Sequence, residues 1–188
     1  MIIGISGKSQ HGKDTVGKII QCKNHGLSVK ETEECLRHNK KINSSYEIKK
    51  FAHKLKERLS VTWNVPIDKF EYEDFKQSMS PLGISWRKLL QLEGEAARNI
   101  DADYWIKALF GGHNECLNLI ITDLRYLNEL EYIRNKNGIL IRVENTNIIS
   151  KDSHLSENEL DLYEEWDYKI INNKSISDLV ELIYKINI

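Results

Sequence analysis

A glycine-rich run near the start of the chain, GKSQHGKDT at residues 7–15, constrains the fold more than any other stretch. Its spacing, Gly-x4-Gly-Lys, is typical of a P-loop, which binds nucleotide phosphates between a strand and a helix. The short apolar run 2–6 precedes it and indicates a buried strand. From Gly12 onward the sequence predicts a helix, so the motif lies in the context it needs. We therefore predict a nucleotide site here.

The P-loop departs from the usual motif at one position. Asp14 follows Lys13, where a Ser or Thr hydroxyl would normally contact Mg²⁺, and Thr15 comes one residue later. Asp14 or Thr15 could organise the metal, and Asp14 could instead cap its own helix. Loop N–H groups and the helix N-terminus would bind the anion. The predicted donor-nucleotide residues are Gly7, Lys8, Gly12, Lys13, Asp14, Thr15 and, on a later strand, Arg142.

The rest of the chain alternates apolar runs with amphipathic stretches. The predicted later strands are 46–51, 117–122, 139–144 and 167–172, and the main helices between and after them are 53–63, 85–99, 124–137 and 175–186. Such alternation is typical of an α/β fold, a five-stranded parallel sheet with helices on both faces. A length of 188 residues predicts a single domain over 1–188.

Composition and charge disfavour several classes of protein. The formal net charge is −1 with no basic patch, so we expect no nucleic-acid partner. Neither a secretory signal nor an apolar stretch of membrane-spanning length is recognisable, so we expect a cytoplasmic protein without a membrane partner. Three cysteines argue against a disulfide framework. The pairs Cys22–His25 and Cys35–His38 could hold zinc, but their spacing also arises by coincidence on helices.

A second acidic position follows the apolar strand LIIT. Asp123 is predicted at the carboxyl end of this strand, where ligands of open α/β sheets gather, and Arg125 lies two residues on. Together they could hold Mg²⁺, through water, and a phosphate; the alternative is that Asp123 caps the next helix. Leu124 stands where hydrolytic P-loop ATPases often carry a Glu. This favours phosphoryl transfer to an acceptor over hydrolysis.

The helix 85–99 is a candidate for binding that acceptor. At 3.6 residues per turn, one sector contains Arg87, Gln91, Glu95 and Arg98, and the other side contains Leu89, Leu92 and Ala96. Two arginines and an amide suit a phosphate and a base edge, although an ordinary solvated face would look the same. Trp105 is expected in the core. The charged stretch of about 150–166 is a candidate lid, with His154, Ser156 and Glu157.

With these motifs in view, the chain resembles the bacteriophage-type deoxynucleoside monophosphate kinases of the P-loop kinase superfamily. The resemblance rests on GISGKSQHGKDT, WRKLLQLEGEAARNIDADYWIKALF, LIITDLRYLNE, ILIRVEN, and DSHLSENEL followed by WDYKIINN. It implies the strand order 2-3-1-4-5, an acceptor-binding helical region of about 52–112 and a small moving lid. The His-x-Ser-Glu stretch is also similar to one in phosphomevalonate kinases.

The resemblance implies that ATP with Mg²⁺ phosphorylates a deoxynucleoside 5′-monophosphate (dNMP). The implied catalytic residues are Lys13, Arg87, Asp123 and Arg125. The implied substrate-binding residues are Arg87, Gln91, Arg98, Asp123 and Arg125, and the metal residues are Thr15, Asp14 and Asp123. A phosphomevalonate or dephospho-coenzyme A kinase, or a non-catalytic nucleotide-binding protein, remains an alternative. The accepted bases, the sugar preference, homodimer formation and the role of residues 22–44 stay open.

Overall fold

A computed structural model describes residues 1–111, 118–148 and 158–188. Five strands, all paired in parallel, form one sheet in the order β2-β3-β1-β4-β5. They are β1 (Ile2–Ser6), β2 (Tyr46–Lys49), β3 (Asn118–Leu124), β4 (Ile139–Glu144) and β5 (Tyr168–Ile171). The predicted α/β class and the strand order implied by the resemblance are both confirmed.

The described helices follow the predicted ones closely. They are α1 (Lys13–Asn24), α2 (Val29–Arg37), α3 (Phe51–Trp63), α4 (Glu73–Gln77), α5 (Trp86–Ile100), α6 (Tyr104–Phe110), α7 (Leu127–Asn135) and α8 (Ile176–Lys185). The helix predicted over 124–137 begins only at Leu127, because β3 continues through Leu124. Residues 67–84 contain a 3₁₀ helix (Ile67–Glu71) and α4.

The chain divides into two compact units. The first contains residues 1–49 and the described residues beyond 113, and thus the whole sheet. The second contains the described residues from 50 onward up to 111, which are mainly helical. The helical region predicted to bind an acceptor falls in this second unit, and that role stays a prediction.

The first unit buries side chains on both faces of its sheet. On one face, Ile3, Ile5 and Ile120 pack against apolar side chains of α1 and α8. On the other face, a Cβ placed on Gly4 would lie within 3.4 Å of Ile133 of α7 and of Leu124. Burial of such aliphatic side chains supplies the main driving force for folding.

Residues 22–44 add α2 to the core of the first unit. Ser28 accepts a hydrogen bond from the backbone N–H of Glu31, whose carboxylate accepts one from the N–H of Ser28, so the helix begins with a capping box. Thr32 shares a 2.6 Å hydrogen bond with the Tyr184 hydroxyl of α8. Cys35 is buried beside Cys22, and burial is the main cause that raises the pKa of Cys22 to about 12. Burial therefore keeps the thiol of Cys22 neutral at ordinary pH.

The second unit is built around stacked aromatic rings. Trp86 is buried between Phe75, which stacks on it at 5.4 Å, and Phe70, whose ring meets it edge-on at 5.5 Å. The indole N–H of Trp105 donates to the carbonyl of Gly94 at 3.1 Å, and Trp105 is buried, as predicted. Because these side chains already have partners in the core, α5 is fixed in rotation within its own unit.

The buried stripe of α5 differs from the predicted one. Leu89 is buried as expected, but Leu92 is 42% exposed and Ala96 also faces solvent. Gly94 and Ala97 are buried instead. Part of the predicted apolar side of α5 is therefore exposed to solvent. The aromatic cluster includes Trp86, and its packing determines that the stripe beginning at Trp86 is buried.

Within the described ranges, the structure contains no helix that is both long enough and apolar enough to cross a membrane.

We predict that Gly17→Ala destabilises the protein, because the new Cβ would lie 2.5 Å from Cγ2 of Thr122. Overpacking of this kind costs about 1–3 kcal/mol, which exceeds the ~1 kcal/mol that alanine adds through helix propensity. Thr122→Ser removes that methyl group and should restore part of the loss in the double variant. Urea unfolding measures both effects.

The matched control is Gly94→Ala, also in the middle of a helix. Its Cβ would meet the flexible end of Arg98 at 3.3 Å, so we expect no comparable loss. Equal destabilisation by the two substitutions would contradict the packing account.

Candidate functional site

The glycine loop between β1 and α1 lies tightly against neighbouring backbone and side chains. Gly7 and Gly12 both have positive φ, at 151° and 95°. A Cβ on Gly7 would lie 2.4 Å from the carbonyl oxygen of Val143 at the end of β4, and one on Gly12 would lie 2.4 Å from the amide nitrogen of Asn172. Only glycine fits both positions, which explains the two invariant letters of the motif pattern in physical terms.

Two side chains hold the loop over the carboxyl ends of β4 and β5. Buried His11 accepts a hydrogen bond on Nδ1 from the backbone N–H of Asn145 at 3.3 Å. Asn172 donates from its amide to the carbonyl of His11 at 3.0 Å. The same Nδ1 of His11 lies 3.4 Å from the carbonyl oxygen of Val143, so the ring contacts two backbone groups near the end of β4. The hydrogen bonds from Asn145 and Asn172 therefore fix the loop to the segments that follow β4 and β5.

The N-terminus of α1 has no side-chain cap. Gly12 is the N-cap and has no side chain with which to cap the first-turn N–H groups. Lys13 donates from Nζ to the carbonyl of Lys8 at 2.7 Å, so its ammonium folds back over the loop. First-turn N–H groups, the helix dipole and a neighbouring ammonium together form an anion site.

Asp14 is attached to the sheet. Thr122 of β3 donates from its hydroxyl to Oδ1 of Asp14 at 2.6 Å. Gly12 occupies the N-cap position, so Asp14 does not cap α1 in that role. Thr15 lies beside it in the first turn and is half-buried. A carboxylate and a hydroxyl therefore begin the helix where the usual motif has one hydroxyl.

An irregularity in β3 coincides with Asp123. Gly4 pairs with Ile121, but Ser6, two residues on, pairs with Leu124, so β3 contains one extra residue here. Thr122 faces α1, and Leu124 faces the opposite side of the sheet. The extra residue between them is Asp123, 9% exposed. A bulge of this kind re-aims a side chain and is common next to functional sites.

Asp123 does not cap the helix that follows. The N-cap of α7 is Tyr126. The buried carboxylate of Glu129 accepts hydrogen bonds from the backbone N–H groups of Arg125 at 3.0 Å and Tyr126 at 3.2 Å. Glu129 thus fixes the turn after β3 and leaves Arg125 half-buried within it.

Arg142 and Lys8 meet at one carboxylate, that of Asp161. Oδ2 of Asp161 lies 2.8 Å from Nζ of Lys8. Oδ1 of Asp161 accepts a hydrogen bond from Nη2 of Arg142 at 2.6 Å. Arg142 is buried and also donates to the hydroxyl of Ser6 at 3.2 Å. Its guanidinium lies 5.8 Å from the ring centroid of Trp166.

In the second unit, the predicted acceptor-binding side chains of α5 are half-buried. Arg87, Gln91 and Arg98 are all of intermediate exposure. Arg87 donates to the carboxylate of Glu73 on α4. Hydrogen bonds lower the pKa of Glu73 to about 2, that from Lys76 most and those from Arg87 and Gln77 less, against the opposing effect of burial. Arg87 is therefore paired with a carboxylate that stays ionised.

Some predicted positions lie outside the described residues. His154, Ser156 and Glu157 of the candidate lid are among them. In the parts of the chain that are described, no three His, Cys, Asp or Glu side chains come together as a metal-binding group.

Sequence reasoning missed three residues that support the loop. Thr122, Asp161 and Asn172 contact it from positions more than 100 residues away. Thr122 follows an apolar strand and Asp161 lies within a charged stretch, so neither stands out by type. The local signal for Thr122 and Asn172 was their position at the end of a predicted strand, at the edge where ligands bind.

Comparison with known proteins adds an independent line of information. The family model described as "Deoxynucleotide monophosphate kinase" matches residues 27–183, a range that begins after the glycine loop. Similar curated proteins include a "Putative deoxynucleotide monophosphate kinase" of Acanthamoeba polyphaga mimivirus, 35% identical over 65 residues, which are 35% of this chain and 34% of that protein. The "Deoxynucleotide monophosphate kinase" of Escherichia phage RB69 is 28% identical over 124 residues, 61% of this chain and 50% of that protein. The matched parts therefore span about a third and a half of these relatives.

We predict that Glu73→Gln removes an acid-sensitive part of the stability. Because the pKa of Glu73 falls from an ordinary 4.5 to about 2 on folding, its ion pairs stabilise the fold above pH 4.5 and are lost as the pH falls towards 2. Glu73 is half exposed, so we expect a difference of at most ~1 kcal/mol between wild type and variant at neutral pH. Urea unfolding at several pH values measures that difference, and a difference of undiminished size at pH 2 would contradict the assignment.

Proposed function

The chain belongs to the deoxynucleotide monophosphate kinase family, and on that premise we propose that it transfers the γ-phosphoryl group of ATP to a dNMP. The observation that carries the proposal is the glycine loop itself, whose helix begins at a glycine with no side-chain cap and whose Lys13 ammonium binds the carbonyl of Lys8. The family match does not include residues 7–15, so loop and family support the proposal separately.

In the proposed reaction, an oxygen of the acceptor phosphate attacks the γ-phosphorus of ATP. The bond between that phosphorus and the bridging oxygen of ADP breaks, and ADP leaves with the electron pair. The acceptor phosphate is already an anion at neutral pH, so no strong general base is required. Lys13 and the loop N–H groups neutralise the donor phosphates, and catalysis consists of positioning and electrostatic stabilisation.

The residues near the loop suit Mg²⁺. Asp14 and Asp123 offer carboxylate oxygens and Thr15 a hydroxyl, the hard ligands that this ion prefers. Asp14 is held by Thr122, and Asp123 is the extra residue of the β3 irregularity. When bound, Mg²⁺ would supply positive charge that helps to neutralise the donor phosphates. The protein's own contribution is to hold these oxygens in place, in part through water.

We further propose that three arginines bind the acceptor phosphate and stabilise the charge of the loose transition state. These are Arg87, Arg98 and Arg125, with Gln91 contacting the base. In the second unit, the carboxylate of Glu73 orients Arg87. Bidentate guanidinium donors suit a phosphate better than point charges do. The His154, Ser156 and Glu157 lid remains part of the proposal on sequence alone.

A coupled assay of ADP formation from ATP tests the function. The acceptors are a panel of dNMPs, the matching ribonucleotides, phosphomevalonate and dephospho-coenzyme A. We expect ADP formation that depends on at least one dNMP. Activity only with phosphomevalonate or dephospho-coenzyme A would assign the chain another kinase reaction. If none of the acceptors stimulates ADP formation, the proposal is overturned.

Lys13→Ala should lower kcat/KM by at least about a hundredfold, the usual loss when one preorganised charge-stabilising group is removed. The matched control is Lys18→Ala, on the same helix but outside the loop, where Nζ donates to Gln21. We expect this control to keep near wild-type turnover. Full turnover by the Lys13→Ala variant would contradict a role of the P-loop in the reaction.

Thr122→Val should raise the Mg²⁺ concentration needed for half-maximal activity about tenfold, as is typical when the partner of a metal-binding side chain is lost. Valine keeps the shape but cannot donate to Asp14, whereas Thr122→Ser keeps the hydroxyl and should behave like wild type. Titrating Mg²⁺ at fixed ATP measures the shift. An unchanged Mg²⁺ requirement in the Thr122→Val variant would show that the hydrogen bond to Asp14 does not affect metal binding.

A further inference from the structure

Asp161 is a carboxylate that neither the motif nor the family match singles out. It lies between β4 and β5 in the chain and contacts two cations from different elements. Its distances are 2.8 Å to Nζ of Lys8 and 2.6 Å to Nη2 of Arg142. Burial would raise its pKa, but the hydrogen bonds from Lys8 and Arg142 lower it overall, so the carboxylate stays ionised.

The two cations reach both sides of Gly7. Arg142 donates to the hydroxyl of Ser6, the last residue of β1, and Lys8 is the residue after Gly7. The carbonyl of Lys8 in turn accepts the hydrogen bond from Nζ of Lys13. One carboxylate is thus connected to the start of the loop and, through a single residue, to the lysine that faces the donor phosphates.

We propose that Asp161 is a positioning residue of the phosphate loop, which holds Lys8 and Arg142 so that the loop is preorganised for the phosphates of the donor nucleotide. The identity of that nucleotide as ATP rests on the proposed function. Arg142 is only 8% exposed, and a buried guanidinium needs a counter-ion to remain in place. A loop fixed before binding avoids the cost of being ordered by its ligand.

Two other roles of Asp161 predict a different effect of its removal on nucleotide affinity. If Asp161 merely competed with phosphate for Lys8, its removal would strengthen nucleotide binding. If it served stability alone, its removal would lower the melting temperature and leave nucleotide affinity unchanged. Nucleotide affinity therefore distinguishes a positioning role from both.

The test is Asp161→Asn, which keeps the shape and removes the charge. Calorimetric titration with ATP and MgCl₂ should give a Kd about tenfold higher than that of wild type, within the range for residues that act through their neighbours. The matched control is Asp167→Asn, because Asp167 pairs with Arg134 at 2.9 Å and accepts from the N–H of Leu140, away from the loop. We expect this control to lose thermal stability but to keep the wild-type Kd.

An unchanged or lower Kd in Asp161→Asn would overturn the inference. Should that variant fail to fold, Asp161→Asn combined with Arg142→Met also removes the buried cation, while Lys8 keeps its hydrogen bond to Oδ1 of Asn158. A wild-type Kd in the double variant would overturn the inference equally. Wild-type protein that binds ATP but phosphorylates no dNMP would contradict the proposed function alone, and wild-type protein that binds no ATP would contradict both.

Discussion

The close contact between the glycine loop and the ends of β4 and β5 is the constraint on which the rest of the site depends. The loop approaches the carbonyl of Val143 so closely that a single Cβ on Gly7 would force the two apart. The amide of Asn172 fills the space beside Gly12 and binds the carbonyl of His11. With its back held in this way, the loop leads into the N-terminus of α1, a position that favours an anion.

The acidic side of the site depends on a second physical feature, the extra residue in β3. In a regular strand Asp123 would simply alternate with Thr122 and Leu124. The irregularity gives Asp123 a direction of its own, while Thr122 keeps facing α1 and binds Asp14. The carboxylate of Asp14, which stands where the usual motif has a hydroxyl, is thus hydrogen-bonded to the neighbouring strand. The metal site that draws on both carboxylates is part of the proposed function.

The sequence predicted what depends on local patterns. β4 runs from Ile139 to Glu144 as predicted, because a short apolar run lies between Gly138 and the polar residues that follow. The helix predicted over 85–99 is α5, because Ser85 lies before an amphipathic run and its hydroxyl satisfies a first-turn N–H. The glycine loop was recognisable for the same reason: its spacing and its flanking elements are contiguous in sequence.

What the sequence did not predict depends on pairing between distant segments. The extra residue in β3 appears only in the register of β3 against β1, and the contact of Asp161 with Lys8 joins residues 153 positions apart. The exposed Leu92 shows the same limit, because the aromatic cluster around Trp86 decides which stripe of α5 is buried. Helical periodicity gives the width of an apolar face, and tertiary packing selects its direction.

The central claim is transfer of a phosphoryl group to a dNMP rather than to water. Phosphorus NMR of a mixture of ATP, Mg²⁺ and a dNMP follows donor, acceptor and products in one sample. The account predicts that ADP and the deoxynucleoside diphosphate appear in equal amounts, with no inorganic phosphate formed alongside. ADP accompanied by inorganic phosphate, with the dNMP unchanged, would contradict it.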